Sequence, residues 1–345
     1  MTLQLDVSPD LVRENASRVA EHCRAAGKRW CPRVASYCPP WAIAAILDSG
    51  AAGFTCTMVA DAFRLLQMCG TSRIAELLVT QPVATPAVAQ QVAELGQQTD
   101  VLATIDHFYH AELLSRAAAN FGRRIAILIE VDVGRHQTGV RPGHDTCRLA
   151  LAAAQLPGIR VAGLLADDAH VQQPDSTAGS AAFDEACRVA RYCRDLIVRA
   201  GVPCAALCMG RSACLDSATR QPCVTHLRCG AVIWGDLLVT GVLPRAGLQP
   251  AVTLRTHVVS RPSLQQAVLL GGYSILGRCP LPPVVRSVRG ASVSAVRADA
   301  TVLRLSDAAL DLTIGDPVEL VVADAESALQ RNGSAQQLRP LFPQT

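Results

Sequence analysis

Eight short apolar runs, each followed by a stretch of helical period, fill the first two thirds of the chain. This alternation restricts the fold more than any other feature. The runs fall near 31–36, 53–57, 75–80, 100–105, 125–132, 159–166, 203–208 and 224–234. Helical patterns lie near 8–25, 39–49, 58–69, 86–97, 108–121, 142–156 and 180–200. Parallel strands buried on both faces read as continuous apolar runs, and they need helical crossovers. Closing eight such units gives a (β/α)8 TIM-like barrel of about 250 residues. An open doubly wound sheet is the alternative. No Gly-x-Gly-x-x-Gly follows the first run, which weighs against its dinucleotide-binding version. Helix boundaries are marked too: Ser8-Pro9-Asp10 is an N-cap with proline at the first helical position, and Gly27, Gly50 and Gly70 follow three helix ends.

The pattern changes after about residue 245. Segments 251–260, 266–271, 292–297, 300–306 and 317–323 are rich in Val and Leu with Gly and Pro turns between them. They predict a small antiparallel β domain. The expected organisation is a barrel over 8–244 and a β domain over 245–345, joined by an N-terminal strand within 1–7.

Half of the 345 residues are hydrophobic, enough for a large core. The net charge of +3 and the scattered arginines give no electrostatic case for nucleic acid or an acidic membrane. The N-terminus lacks the basic and apolar regions of a signal peptide, and no apolar run approaches the ~18 residues of a membrane helix. A cytosolic protein is expected, in which Asn332-Gly-Ser334 is a polar turn. Fourteen cysteines occur without a Cys-x-x-Cys pair, so they read as free thiols used as small apolar packers. Of 32 basic side chains, 31 are arginines; Lys28 is the only lysine.

In a barrel of this kind the chemistry sits at the carboxyl ends of the strands. Those ends carry Ala35-Ser-Tyr-Cys38, Thr55 and Thr57, Thr80-Gln81 and Asp106-His107. Further along come Glu130-Val-Asp-Val-Gly-Arg-His-Gln-Thr-Gly139, Asp167-Asp168-Ala-His170, Cys208-Met-Gly-Arg-Ser212, and His226 with Arg228. The turn Met209-Gly-Arg-Ser212 opens a short helix. Backbone N–H groups at such a turn suit a phosphate, and Gly210, Arg211 and Ser212 are its candidate residues.

Several of these segments resemble one family. "LIEVDVGRHQTGV", "GAAGFTCTMVADA", "GLLADDAH", "LCMGRSA", "HLRCGAVIWGD" and "LTIGDPVELVVADAE" occur in the order and spacing of the D-threonine aldolase and D-serine dehydratase branch. That branch belongs to the fold-type III, alanine-racemase-like pyridoxal-phosphate enzymes. Asn15 falls where the family's first helix carries an asparagine. The resemblance implies the barrel with its β domain, pyridoxal phosphate as cofactor, and a homodimer with the site near the interface.

The departures from the family pattern fall on functional positions. "CPRVASYC" puts Ala35 where the family has its Schiff-base lysine, and Arg33 and Tyr37 where it has histidines. Gln137 replaces the arginine that faces the cofactor phenolate, and Asp167 replaces a tyrosine. His226 and Val232 replace a glutamate and a tyrosine. Asp324 and Glu326 replace the family's metal-binding His-x-Cys/Asp pair. His170 and Ser212 are kept.

Three functional readings follow. The leading one is a degenerate family member, a pseudoenzyme that binds a small molecule, either an amino acid or a phosphate-bearing ligand, without ordinary Schiff-base catalysis. Pyridoxal phosphate would then not be held as a lysine imine. The second is a rebuilt site using a divalent metal with Asp167, His170, Asp324 and Glu326; one histidine among carboxylates suits Mn²⁺, Mg²⁺ or Fe²⁺. The third is an active pyridoxal-phosphate lyase or racemase acting on D-amino acids, with Arg33 and Arg211 left to hold a phosphate or carboxylate.

Overall fold

The computed structural model describes residues 3–171, 176–240 and 247–332. In chain order, β1 (Gln4–Val7) leads into α1 (Pro9–Ala25), then β2 (Arg29–Trp30), β3 (Arg33–Val34) and α2 (Pro40–Asp48). Five regular strand–helix repeats follow. They are β4 (Phe54–Cys56) with α3 (Val59–Cys69), β5 (Leu77–Val79) with α4 (Pro86–Leu95), and β6 (Val101–Ile105) with α5 (Phe108–Ala119). The last two are β7 (Ile125–Val131) with α6 (His144–Ala154), and β8 (Ile159–Ala166) with α7 (Thr177–Arg199). Then come β9 (Ala206–Cys208), α8 (Leu215–Arg220), β10 (His226–Leu227) and α9 (Leu237–Thr240).

Strands β2 to β10 form one sheet in the order β2-β10-β9-β8-β7-β6-β5-β4-β3, with every pairing parallel. The two ends of that order, β2 and β3, are halves of a single strand separated by Cys31 and Pro32. The sheet therefore closes on itself as an eight-stranded barrel. The gap has a local cause: Pro32 has no N–H to give to the ladder. The neighbours bridge it, with Cys31 N donating to Leu227 O at 2.8 Å and Arg33 N to Arg228 O at 3.0 Å. At this seam the backbones approach so closely that a Cβ on Gly230 would lie 2.0 Å from Arg33 O. Leu78, Leu102, Leu128, Leu165 and Cys208 pack in one buried cluster.

The sequence placed the eighth strand over 224–234. The structure shortens it to β10, and Ala231–Trp234 is a 3₁₀ turn with Val232, Ile233 and Trp234 buried. An apolar run buried on all sides has the same look whether extended or helical.

The remaining elements are β11 (Val252–Ser263), β12 (Gln266–Leu270), α10 (Tyr273–Leu276), β13 (Val284–Val285), β14 (Ala291–Val296), β15 (Ala300–Leu305), β16 (Pro317–Val321) and α11 (Ala325–Arg331). Their strands form an antiparallel sheet in the order β13-β16-β11-β12-β15-β14, and β1 pairs with β11.

The chain divides into two compact units. One comprises Ala20–Ala35 and Ile46–Gly230 and holds the barrel. The other comprises Met1–Val19, Ser36–Ala45 and Ala231–Thr345 and holds the antiparallel sheet. In the sheet unit Asn15 is 1% exposed, and its amide is fully used. Its Nδ2 donates to Ile233 O and Gln249 O, and its Oδ1 accepts from Gln249 N. A buried amide survives only when its donors and acceptor are paired in this way. Among the described residues, no helix is long and apolar enough to cross a membrane.

Candidate functional site

The carboxyl ends of the barrel strands gather a ring of charged groups. Ala35 follows the last residue of β3 and is half-buried. Asp106, just past β6, accepts from Gly139 N at 3.1 Å and lies 3.1 Å from His110 Nδ1. The neighbouring His110 imidazole, with the Gly139 amide, holds its carboxyl below the ordinary value. Glu130 in β7 accepts from Thr138 Oγ1 at 2.6 Å. Burial pushes Glu130 up, while Thr138, Arg228 and Arg135 pull it back toward the charged form.

Asp167, just past β8, sits between two guanidinium groups. Arg135 Nη1 donates to its Oδ2, and Arg228 Nη2 lies 3.9 Å from its Oδ1. Its Oδ1 also accepts from Ala169 N at 3.1 Å. The side chain of Arg228 is only 12% exposed, so this long contact leaves a buried cation held mainly by the field of Asp167 and Glu130. Asp61 in α3 is pushed up by burial and pulled down by Arg64 and Arg33, which brings the Arg33 charge to the same rim.

The loop after β7 is organised by Asp132. Its Oδ1 accepts from Gly134 N and His136 N at 3.0 Å each, and its Oδ2 lies 2.8 Å from His136 Nδ1. Burial opposes its charge, but these hydrogen bonds hold it below the ordinary carboxylate value. Gly134 has φ +127°, and a Cβ there would meet His170 Nε2 at 2.9 Å. Glycine is thus what allows His170 to lie against this loop.

The turn at 209–212 is partly occupied by the chain itself. Asp168 is fully buried, and both of its carboxylate oxygens lie 3.2 Å from Arg211 N. The Arg211 side chain donates to Val171 O. A 3₁₀ turn over Ser212–Cys214 precedes α8.

The residues singled out from sequence thus fare differently. Asp167 joins Arg135 and Arg228, His170 lies on Gly134, and Arg211 meets Asp168. Gln137 is exposed. In the sheet unit, Tyr37 OH donates to Glu326 Oε1, and Asp324 caps α11 by accepting from Ser327 N and Ser327 Oγ. Asp236 accepts from Ala325 N at 2.9 Å and from Val239 N at 3.1 Å. Burial, with the charges of Asp324 and Glu326, raises it to about 7. Among the described residues, no group of three or more His, Cys, Asp or Glu side chains is arranged to hold a metal ion. Sequence reasoning missed Arg135 as the partner of Asp167. The available signal was its place in the strand-end loop next to Gly134.

Lys28 lies at the other end of the barrel. It precedes β2, and its Nζ donates to Gln221 O at 2.8 Å and Val224 O at 2.7 Å, in the turn before β10.

Fold and strand-end charges define a closed parallel (β/α)8 barrel that shares its chain with an antiparallel sheet. The chain belongs to the family described as the alanine racemase N-terminal domain, which it matches over residues 7–237. It is 24% identical over 279 residues to the D-threonine aldolase of Arthrobacter sp., covering 80% of this chain and 72% of that protein. It is 25% identical over 254 residues to the D-threo-3-hydroxyaspartate dehydratase of Delftia sp. (strain HT23), covering 72% of this chain and 65% of the dehydratase. The crystal structure of the D-threonine aldolase from Filomicrobium marinum superposes with a TM-score of 0.85 at 22% identity. The match covers 96% of this chain and 90% of that one, and it speaks for the fold.

Proposed function

We propose that this chain is a family member without Schiff-base catalysis, which binds a small amino-acid-like or phosphate-bearing molecule non-covalently. The observation that carries this reading is Lys28. An imine needs a primary amine, and the chain has one lysine. Its Nζ is held by two carbonyls at the amino-terminal end of the barrel. By the family resemblance the lysine position is Ala35, seven residues on, which is about 20 Å along an extended strand.

Such a lysine does two jobs. It captures the amino substrate by exchange of imines, and as a free amine it carries protons. An alanine methyl does neither, and a guanidinium is no ordinary imine former. On this reading the residues present do not fit a covalently held pyridoxal phosphate. The Arg211 amide is also already engaged by Asp168. Cytosolic location and homodimeric assembly belong to the same proposal; a solution mass near 36.5 kDa would contradict the dimer.

The test is reductive trapping. The protein is incubated with pyridoxal phosphate, treated with borohydride and digested. The Lys28 peptide is expected unmodified. A stoichiometric phosphopyridoxyl group on Lys28 would overturn the reading. The competing reading, a lyase acting on D-amino acids, draws on the names of the relatives and needs an amine that the barrel's carboxyl end does not supply from this chain.

A further inference from the structure

The sheet unit holds a cavity of about 260 Å³. Its lining is mostly apolar and comes from three segments. They are Tyr273 and Leu276 of α10, then Cys279, Pro282 and Pro283 in the stretch before β13, and Val293 of β14. Strands β13 and β14 are the two ends of the strand order, and they lie against each other. The cavity is therefore flanked by both edges of the sheet. An edge strand carries unpaired backbone groups, and native proteins cover or blunt it. Here the flank is also apolar and open: Leu281 is 44% exposed and Val284 51%. A finished core is packed without such voids.

The point at which the described chain ends says what fills the space. Helix α11 lies against the end of α10, where a Cβ on Gly277 would meet Ser327 Cβ at 2.6 Å. Just past α11, Asn332 Nδ2 donates to Ile275 O at 3.0 Å. The chain thus leaves the described residues beside the helix that lines the cavity. Residues 333–345 read "GSAQQLRPLFPQT". Positions 333–337 are small or polar, and extended they reach about 17 Å. Positions 338–343, "LRPLFP", are apolar apart from Arg339 and carry two prolines.

We propose that segment 338–343 of this chain seats in the cavity, with the Phe342 ring inside it and Leu338 and Leu341 against the exposed rim. The volumes match. A cavity of about 150 Å³ accepts a benzene ring, so this one has room for a phenyl ring and part of a leucine. The chemistry matches too. Proline holds a segment extended before it binds, and such segments dock on surfaces built from aromatic and apolar side chains, as Tyr273 and the proline wall provide. The two prolines lack N–H groups, so the contact is made by side chains and not by a full ladder.

The tether favours this occupant over a second copy. A short flexible linker gives an effective concentration of about millimolar, so a small apolar contact suffices. A stable contact between copies needs about 1,000 Å² or more of buried surface. Seated in this way, the segment acts as a strap that covers both sheet edges and the half-buried Cys279.

Cys279 reports on the strap. Full-length wild-type and Phe342→Asp proteins are treated with iodoacetamide under native conditions, and the rate at each cysteine is read by peptide mapping. Cys69 and Cys147, also half-buried, serve as references. In Phe342→Asp, Cys279 should react about fivefold faster or more, with the reference rates unchanged. An excess of a peptide spanning 333–345 should restore the slow rate in that variant. An unchanged Cys279 rate overturns the proposal. Equal acceleration at all three cysteines overturns it as well, because the change is then not local to the cavity. Protection lost on dilution of the wild type and indifferent to Phe342→Asp would assign the cavity to a second copy instead. If Phe342→Asp fails to fold, Leu338→Ser is read in the same way, and an unchanged Cys279 rate there also overturns the proposal.

Discussion

The two ends of the barrel handle charge in opposite ways. At the amino-terminal end, Lys28 is consumed by two carbonyls. Glu76 sits at the centre of a small cluster there: 3.6 Å from His226 Nε2, 3.5 Å from Cys31 Sγ and 3.5 Å from Arg29 Nη2. At the carboxyl end, Asp167, Glu130 and Asp106 face Arg135, Arg228 and His110. Barrels use the first end for stability and the second for chemistry. In this chain the amine belongs to the stability end. The chemistry end offers guanidinium, imidazole and carboxylate groups.

The largest expected effect is at the seam that both ends share. Gly230→Ala puts a Cβ 2.0 Å from Arg33 O. It should cost about 3 kcal/mol or more, read as a lowered denaturant midpoint or loss of soluble protein. Gly27→Ala, with nothing within 4 Å but φ +68°, should cost about 1 kcal/mol. Equal losses would mean that the seam is not closed as described.

Next is the amino-terminal cluster. Glu76→Ala leaves His226 and Cys31 without their carboxylate and should cost about 2 kcal/mol by chemical denaturation. Arg135→Ala at the other end breaks a half-exposed ion pair and should cost under ~1 kcal/mol. A reversal of that order would contradict the division of roles.

The pH responses have opposite signs in the two units. Burial lowers His226 below 6.5, so the unfolded chain takes up its proton first, and stability at β10 falls as pH drops below that value. Asp236 is raised to about 7, so the native state holds a proton the unfolded chain has lost, and stability at α11 falls as pH rises through 7. Hydrogen exchange at the two elements between pH 5.5 and 8 checks both signs. His226→Gln should flatten the first slope, and Asp236→Asn the second.

Much of this fold was legible in the sequence because its strands are buried on both faces and its helices are amphipathic. The run at 125–132 became β7 (Ile125–Val131), and 159–166 became β8 with the same bounds. The split at Pro32 and the 3₁₀ turn at Ala231–Trp234 were not legible, since they depend on how the barrel closes. Strand β13, two residues long in a Pro-rich stretch, has no period to detect.

Legibility of the site followed the same division. Strand-end position picked out Asp167, His170 and Arg211. Their partners lie 32 and more residues away in sequence, as with Arg135–Asp167, or 289 residues away, as with Tyr37–Glu326. Such pairs are created by the tertiary fold, so no local pattern announces them.

The most direct test is cleavage of D-threonine to glycine and acetaldehyde, followed by acetaldehyde release with pyridoxal phosphate and a divalent metal supplied. A chain whose only lysine sits at the wrong end of the barrel should release acetaldehyde no faster than the same mixture without protein. Turnover well above that background, retained in a Lys28→Met variant, would mean that other residues perform the chemistry assigned here to the missing amine. Turnover abolished by that variant would mean that Lys28 itself reaches the site. Either result would contradict the proposed function.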